Sequence, residues 1–230
     1  MDSTISRRVD AVRERIERAC RRAGRPAGAV RLIAVTKNVG VDAVVQAIEA
    51  GVTDIGENRI QEARDKVPAL PHEVTRHLIG SLQTNKARFV GDLFDWVHSI
   101  DRLKVAHELG RRLTAKDREI DALIQVNVAG EASKHGVPTA RAVELVADVA
   151  TVPGIRVRGL MTIAPLDADE RLLRQVFGGL RDLAEEIRSA RIAGVAMEHL
   201  SMGMSGDFEI AVEEGATMVR VGSAIFGARA

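Results

Sequence analysis

The sequence predicts an α/β protein with a single (β/α)8 TIM barrel over residues 1–230 and an extra helix at its start. Two observations favour this fold. Eight short apolar runs alternate with amphipathic stretches from residue 31 onward, and such alternation indicates parallel strands joined by helices. Eight such units in roughly 200 residues match the smallest closed barrels of this kind.

A doubly wound open sheet is the competing fold. Its first strand is usually followed by a glycine-rich turn such as GxGxxG. Here that turn reads TKNVGV and holds one glycine, which favours the barrel. No proline-rich or low-complexity linker interrupts the chain, so we expect one domain.

Residues 1–25 predict an amphipathic helix that packs on the barrel. Its apolar face is formed by Ile5, Val9, Val12, Ile16 and Cys20. The segment is rich in arginine, as transit peptides are, but four acidic residues interrupt it, which is not typical of such peptides.

The strands and helices follow in a regular order along the rest of the chain. The predicted strands are RLIAVTK, VTDIGEN, TRHLIG, FDWVHSI, EIDALIQVNV, IRVRGLMTI, VAMEHLSMG and TMVRVGSAIFG. The helical patterns between them cover residues 41–48, 58–67, 83–89, 103–113, 140–149, 170–187 and 208–214.

Composition excludes several classes of partner and site. The chain has 33 basic and 32 acidic residues, so no net field favours nucleic acid or anionic lipid. Its one cysteine, Cys20, excludes an internal disulfide, and we expect a reducing, cytoplasmic setting. No apolar run approaches the roughly 18 residues that a membrane span needs.

Active sites of this barrel lie at the C-terminal ends of the strands. Polar, flexible or polarisable residues close six of the predicted strands, namely Lys37, Asn58, Gly80, Met161, Ser201 and Gly222. These positions are therefore expected to surround one cavity.

Lys37 ends the first strand and has two interpretations. It can extend into solvent from the rim or pair with a carboxylate, as most lysines at strand ends do. Alternatively, its amine can condense with an aldehyde to form a Schiff base, which arginine cannot do because it does not lose its proton.

Two clusters of small and hydroxyl residues follow the last two strands. Ser201, Gly203 and Ser205 lie in the first cluster, and Gly222 and Ser223 in the second. Helix capping alone would explain Ser205. Two such clusters after strands seven and eight are, however, typical of the phosphate site of this barrel.

Arg220 lies two residues before Gly222, so strand alternation places both on the same side. A buried salt bridge, to Glu198 or Asp54, is the structural alternative. With an aldehyde-capturing lysine and a phosphate site, an arginine facing a ring predicts a site for pyridoxal 5′-phosphate (PLP).

The motifs that carry these residues resemble those of the pyridoxal phosphate homeostasis proteins, the YggS/PROSC family. They are AVTKN, GENRIQE, HLIGSLQTNK, VNVAGEASKHG, GLMTIAP and LSMGMSGDFEIAVEEGATMVRVGSAIFG, spread over residues 30–228. The resemblance implies a barrel like the alanine racemase N-terminal domain.

The resemblance also implies a role for each candidate residue. Lys37 would form the Schiff base with PLP, and Arg220 would face the pyridine nitrogen. The phosphate would lie against Ser201, Gly222 and Ser223. Asn58 is placed near the ring, and we add Met161 and Gly203 to the predicted cofactor-binding set.

The resemblance favours a PLP carrier over an enzyme. Alanine racemases use a tyrosine from a further C-terminal domain, and this chain contains no tyrosine. An arginine beside the pyridine nitrogen disfavours its protonation and weakens carbanion stabilisation. A weak amino-acid racemase or lyase is the alternative, and a metal-dependent hydrolase built on His77, His98 and His199 is a second.

The expected partners follow from the carrier function. PLP is the ligand, apo-enzymes that need PLP are expected recipients, and a monomer is expected because one barrel completes the site. A second lysine that accepts PLP during transfer is an open alternative, with Lys66, Lys86, Lys104 and Lys134 as candidates.

Overall fold

The computed structural model describes residues 4–131 and 134–227. Its strands are β1 (Arg31–Val35), β2 (Asp54–Glu57), β3 (Thr75–Leu78), β4 (Trp96–Ile100), β5 (Ile120–Asn127), β6 (Val137–Pro138), β7 (Ile155–Met161), β8 (Val195–Ser201) and β9 (Met218–Val221). Eight of them are parallel neighbours in the ring β4-β3-β2-β1-β9-β8-β7-β5, which a β4–β5 pairing closes. The predicted barrel is therefore confirmed. The two-residue β6 lies outside the ring and pairs with β5.

The helices cover the outside of the ring. They are α1 (Thr4–Arg22), α2 (Val41–Glu49), α3 (Ile60–Lys66), α4 (Val90–Leu93), α5 (Leu103–Thr114), α6 (Ala142–Ala150), α7 (Glu170–Ser189), α8 (Phe208–Glu213) and α9 (Ser223–Phe226). Residues 84–89, predicted as an α-helix, form a 3₁₀ helix that continues into α4. In the described part of the chain, no helix combines the length and the apolar character that crossing a membrane requires.

Strand alternation divides the side chains between two cores. Ala34 and Val219 point outward and pack with the helices. Their chain neighbours Ile33 and Met218 point inward and form a small interior cluster with Trp96, Leu123 and Met161. This cluster fills part of the barrel interior beside the polar groups described below, since Ile33 pairs with Arg220 and Met161 pairs with Ser201.

The α1 helix packs against α2, α8 and α9. Its buried face contains Val9, Val12, Ile16, Ala19 and Cys20, close to the face that the sequence predicts. Arg15 donates to both carboxylate oxygens of Glu209 at 3.1 and 2.7 Å. The helix therefore braces α8, which follows the first of the two small-residue loops.

Candidate functional site

A cavity of about 460 Å³ opens at the C-terminal ends of the strands. Its lining brings together five of the eight predicted site residues, namely Lys37, Asn58, Arg220, Gly222 and Ser223. The other lining residues are Val35, Ile79, Ile163, Met204, Ser205 and Gly206. The described lining includes two cations and no Asp or Glu, so the cavity is electropositive.

Lys37 is half-buried at the rim of this cavity. It follows Val35 by one strand alternation, which explains why both side chains line the same space. The residue before it is held firmly, because the Thr36 hydroxyl donates to Glu57 Oε1 at 2.7 Å and the Thr36 carbonyl accepts from Lys66 Nζ at 2.6 Å. The backbone that presents the Lys37 amine is thus fixed on its buried side.

Arg220 lies at the floor of the cavity, with 4% of its surface exposed. It donates to the Ser201 hydroxyl oxygen at 2.6 Å and to the Thr162 carbonyl at 2.9 Å. A guanidinium has five N–H groups, so these two bonds leave others for a ligand. Burial lowers the pKa of Arg220 to about 10, and the group therefore remains charged at neutral pH.

The salt bridges suggested for Arg220 are not present among the described residues. Glu198 lies 3.6 Å from Arg158, and Asp54 pairs with His77 at 2.9 Å. A buried guanidinium with no carboxylate partner is costly, and an acceptor supplied by a ligand would offset that cost.

Ser205 occupies the wall formed by the two small-residue loops. Its hydroxyl oxygen accepts from the backbone N–H groups of Gly222 at 3.2 Å and Ala224 at 3.4 Å. The residue at the N-cap of α8 is Asp207, so the capping interpretation of Ser205 is wrong. Both N–H groups are therefore occupied by Ser205, whose own hydroxyl proton remains available to a ligand oxygen.

Asn58 contributes an unsatisfied acceptor. Its Oδ1 atom is buried and has no hydrogen-bond partner among the described residues. A buried polar atom without a partner is uncommon and often marks a place where a ligand or water binds.

Three predicted site residues lie behind the cavity lining. Met161 is fully buried in the interior cluster. Ser201 is fully buried and bonded to Arg220. Gly203 has φ +89°, and a Cβ there would lie 2.6 Å from the Cβ of Ala211, so close packing requires glycine.

The strand histidines do not form the metal centre of the hydrolase alternative. His77 Nδ1 lies 2.9 Å from His98 Nε2, and each ring uses its other nitrogen for a further hydrogen bond. Within residues 4–131 and 134–227, His, Cys, Asp and Glu side chains form no group of three or more suited to a metal ion.

Some lining residues were not predicted as ligand contacts. Val35 lies two residues before Lys37 and so faces the same side of the strand, and Ser205 lies in the first small-residue cluster. The sequence therefore contains a signal for both positions. Ile79, Ile163 and Met204 are ordinary apolar residues in sequence, and their role depends on where the strand ends converge.

The fold and the site together define a barrel of the alanine racemase N-terminal type with a lysine at its mouth. Residues 8–230 match the family described as alanine racemase, N-terminal domain. The pyridoxal phosphate homeostasis protein of Aquifex aeolicus is 41% identical over 223 residues, which cover 96% of this chain and 97% of that protein. This chain belongs to the pyridoxal phosphate homeostasis protein family.

Solved structures agree with this assignment. A protein of Bifidobacterium adolescentis, described as unknown, has a TM-score of 0.93 at 39% identity and covers 96% of this chain and 94% of its own. PipY of Synechococcus elongatus, solved with PLP bound, has a TM-score of 0.85 at 35% identity and covers 97% of this chain and 100% of its own.

Proposed function

We propose that this protein binds PLP in the cavity, holds it through a Schiff base to Lys37, and buffers and delivers it in vitamin B6 homeostasis. The observation that carries the proposal is the pair of cations, Lys37 and Arg220, in one cavity whose described lining has no carboxylate. The PLP bound to PipY and the names of the curated relatives support the same ligand.

The chemistry of the lining assigns a part to each group. Lys37 would hold PLP by its aldehyde, through a double bond from the lysine nitrogen to the aldehyde carbon with loss of the aldehyde oxygen as water. Gly222, Ser223 and Ser205 would hold the phosphate, where the Ser223 N–H and the two serine hydroxyls can donate. Arg220, at the floor, would face the ring nitrogen, and Asn58 would lie beside the ring.

We propose a carrier rather than an enzyme. An arginine beside the ring nitrogen keeps that nitrogen unprotonated, so the ring withdraws electrons weakly and stabilises a carbanion poorly. The sequence also contains no tyrosine to act as a second base. Incubation of the PLP-loaded protein with L-alanine or D-alanine should leave the enantiomers unchanged, and racemisation on chiral chromatography would refute this part.

The test of the Schiff base uses absorption and covalent labelling. The PLP-loaded protein should lose its visible absorption band on borohydride reduction, and peptide mapping should place the reduced adduct on Lys37. Lys37→Ala and Lys37→Arg should both remain folded and give no adduct at this peptide. The arginine variant keeps the positive charge and so separates covalent capture from electrostatic retention.

Lys116→Ala is the matched control, because Lys116 is exposed, pairs with Asp92 and is not one of the candidate second lysines. It should bind and label like the natural chain. A visible band of unchanged position and intensity in Lys37→Ala would show that another amine captures the aldehyde, and the assignment to Lys37 would be abandoned.

Assembly and delivery are parts of the same proposal. We infer a monomer, since one barrel supplies every group assigned above, and light scattering of the PLP-loaded protein should give the mass of a single chain. Mixing that protein with a PLP-requiring apo-enzyme should restore the enzyme's activity faster than spontaneous release of PLP into buffer would allow.

A further inference from the structure

A continuous row of buried side chains crosses the barrel interior from Arg220 to Asp54. Arg220 donates to Ser201 Oγ at 2.6 Å, and Ser201 Oγ lies 2.9 Å from His98 Nδ1. His98 Nε2 lies 2.9 Å from His77 Nδ1, and His77 Nε2 lies 2.9 Å from Asp54 Oδ1. All five residues are at most 5% exposed, and we call them the buried relay.

The protonation states around the buried relay are set by burial and by its two ends. Burial lowers the pKa of His77, and burial followed by the charges of His77 and Arg220 lowers the pKa of His98 well below its usual value. Burial alone would raise the pKa of Asp54, but hydrogen bonds from His77 and Thr53 bring it below its usual value. Both rings are therefore neutral and Asp54 is ionised at neutral pH.

These states leave one arrangement of protons. The Asp54 carboxylate can only accept, so His77 carries its proton on Nε2 and its Nδ1 must accept. His98 consequently donates from Nε2 to His77, and its own Nδ1 must accept. The Ser201 hydroxyl then donates to His98, and its oxygen accepts from Arg220.

We infer that Asp54, His77, His98 and Ser201 are positioning residues that hold the Arg220 guanidinium in one orientation at the cavity floor. The inference deepens the proposed function and rests on it for the ligand. All bonds of the buried relay point the same way, from the cation at one end to the anion at the other, and such aligned bonds strengthen one another.

The buried relay changes the role predicted for Ser201. Its hydroxyl proton is directed to His98, so it has none left for a phosphate oxygen. Ser201 instead acts on the ligand through Arg220. The hydrogen bonds of the buried relay also give a role to two histidines with lowered pKa values, inside a barrel that has no metal site among its described residues.

The first test needs no ligand. Long-range ¹H–¹⁵N spectra of the protein without PLP should show two histidines as neutral Nε2–H tautomers with slowly exchanging protons. Loss of one such signal in His98→Gln assigns that ring; should this variant not fold, slow exchange alone identifies the buried pair. A charged ring or an Nδ1–H tautomer at either position would overturn the inference.

The second test asks whether the buried relay acts through Arg220. Ser201→Ala should weaken PLP retention in dialysis by about tenfold, the worth of one hydrogen bond to a charged group, and should shift the absorption maximum. In an Arg220→Gln background the same change should have no further effect. Equal effects in both backgrounds would overturn the inference.

The results of these two tests can be distinguished from the result of the Lys37 labelling test. If Lys37 is not the labelled amine, the tautomers and the coupling between Ser201 and Arg220 can still be measured. If Lys37 is labelled but the effects of Ser201→Ala and Arg220→Gln are additive, the carrier proposal stands and the positioning inference is refuted.

Discussion

Replacing Lys66 with methionine should destabilise the fold, because the lysine neutralises a buried carboxylate near the rim. Lys66 Nζ lies 2.8 Å from Glu57 Oε1, and the two side chains are 12% and 4% exposed. The other Glu57 oxygen, Oε2, is buried with no partner among the described residues. Methionine keeps the length and apolar stem of lysine but leaves the Glu57 carboxylate with the Thr36 hydroxyl as its remaining donor.

The expected cost follows from this geometry. Removing one partner of a buried ion pair costs about 3–5 kcal/mol, because the other charge stays buried without compensation. The partial exposure of Lys66 admits some water, so we take the low end, about 3 kcal/mol. For a chain of this size that corresponds to a fall in Tm of about 6–12 °C.

Two further variants, Glu57→Gln and the double variant, complete a double-mutant cycle with Lys66→Met. Glu57→Gln should cost only about 1 kcal/mol, since the amide oxygen of the new side chain can still accept from Thr36, and Lys66 keeps the Thr36 carbonyl and Glu62 at 3.6 Å. The double variant should recover about 2 kcal/mol relative to additivity, because no charge is then left unpaired. Urea unfolding at neutral pH, followed by circular dichroism, measures all four free energies of unfolding. A cost below about 1 kcal/mol for Lys66→Met would refute the reasoning, since it would mean that water solvates Glu57.

Two other predictions concern the cavity and the buried relay. Gly80→Ala should lower stability by about 1–3 kcal/mol and weaken PLP retention, because its Cβ would lie 2.2 Å from the Asn58 carbonyl oxygen. Thermal melting and dialysis measure the two effects. Gly40→Ala is the control for both, because a Cβ at Gly40 meets nothing within 4 Å. Stability should fall as the pH drops below about 6.5, because the unfolded chain then binds protons at His77 and His98 that the folded chain does not. The slope is at most about 2.7 kcal/mol per pH unit. Urea unfolding at pH 7.5 and 5.5 measures this slope, and an unchanged free energy of unfolding would contradict the prediction.

The strands are the elements that the sequence predicts best. Each was an apolar run of a few residues next to an amphipathic stretch, and that pattern depends on which side chains must leave water. The elements that the pattern did not predict are short. Val137–Pro138 contains only two residues, too few for a period to show. The predicted strand TMVRVGSAIFG is wrong at its end, because the strand stops at Val221 and the four residues Ser223–Phe226 form a helix.

The sequence places some of the predicted site residues in the cavity lining correctly and others not. Alternation along one strand places Arg220 on the same side as Gly222, and the structure lines the cavity with both. Ser201 ends a strand and is expected in the lining, yet it lies fully buried and bonded to Arg220. Depth along a barrel depends on the offset between neighbouring strands, and a sequence does not display that offset.

The sequence by itself determined the eight strands, the lysine at the end of the first and the pair of small-residue loops after the last two, because local periodicity and turn chemistry act between near neighbours. The tertiary structure decided that Asp54, His77, His98 and Ser201, up to 147 positions apart in the chain, form one row of hydrogen bonds beneath Arg220. Their contact is a product of barrel closure, which brings together residues that no local pattern connects.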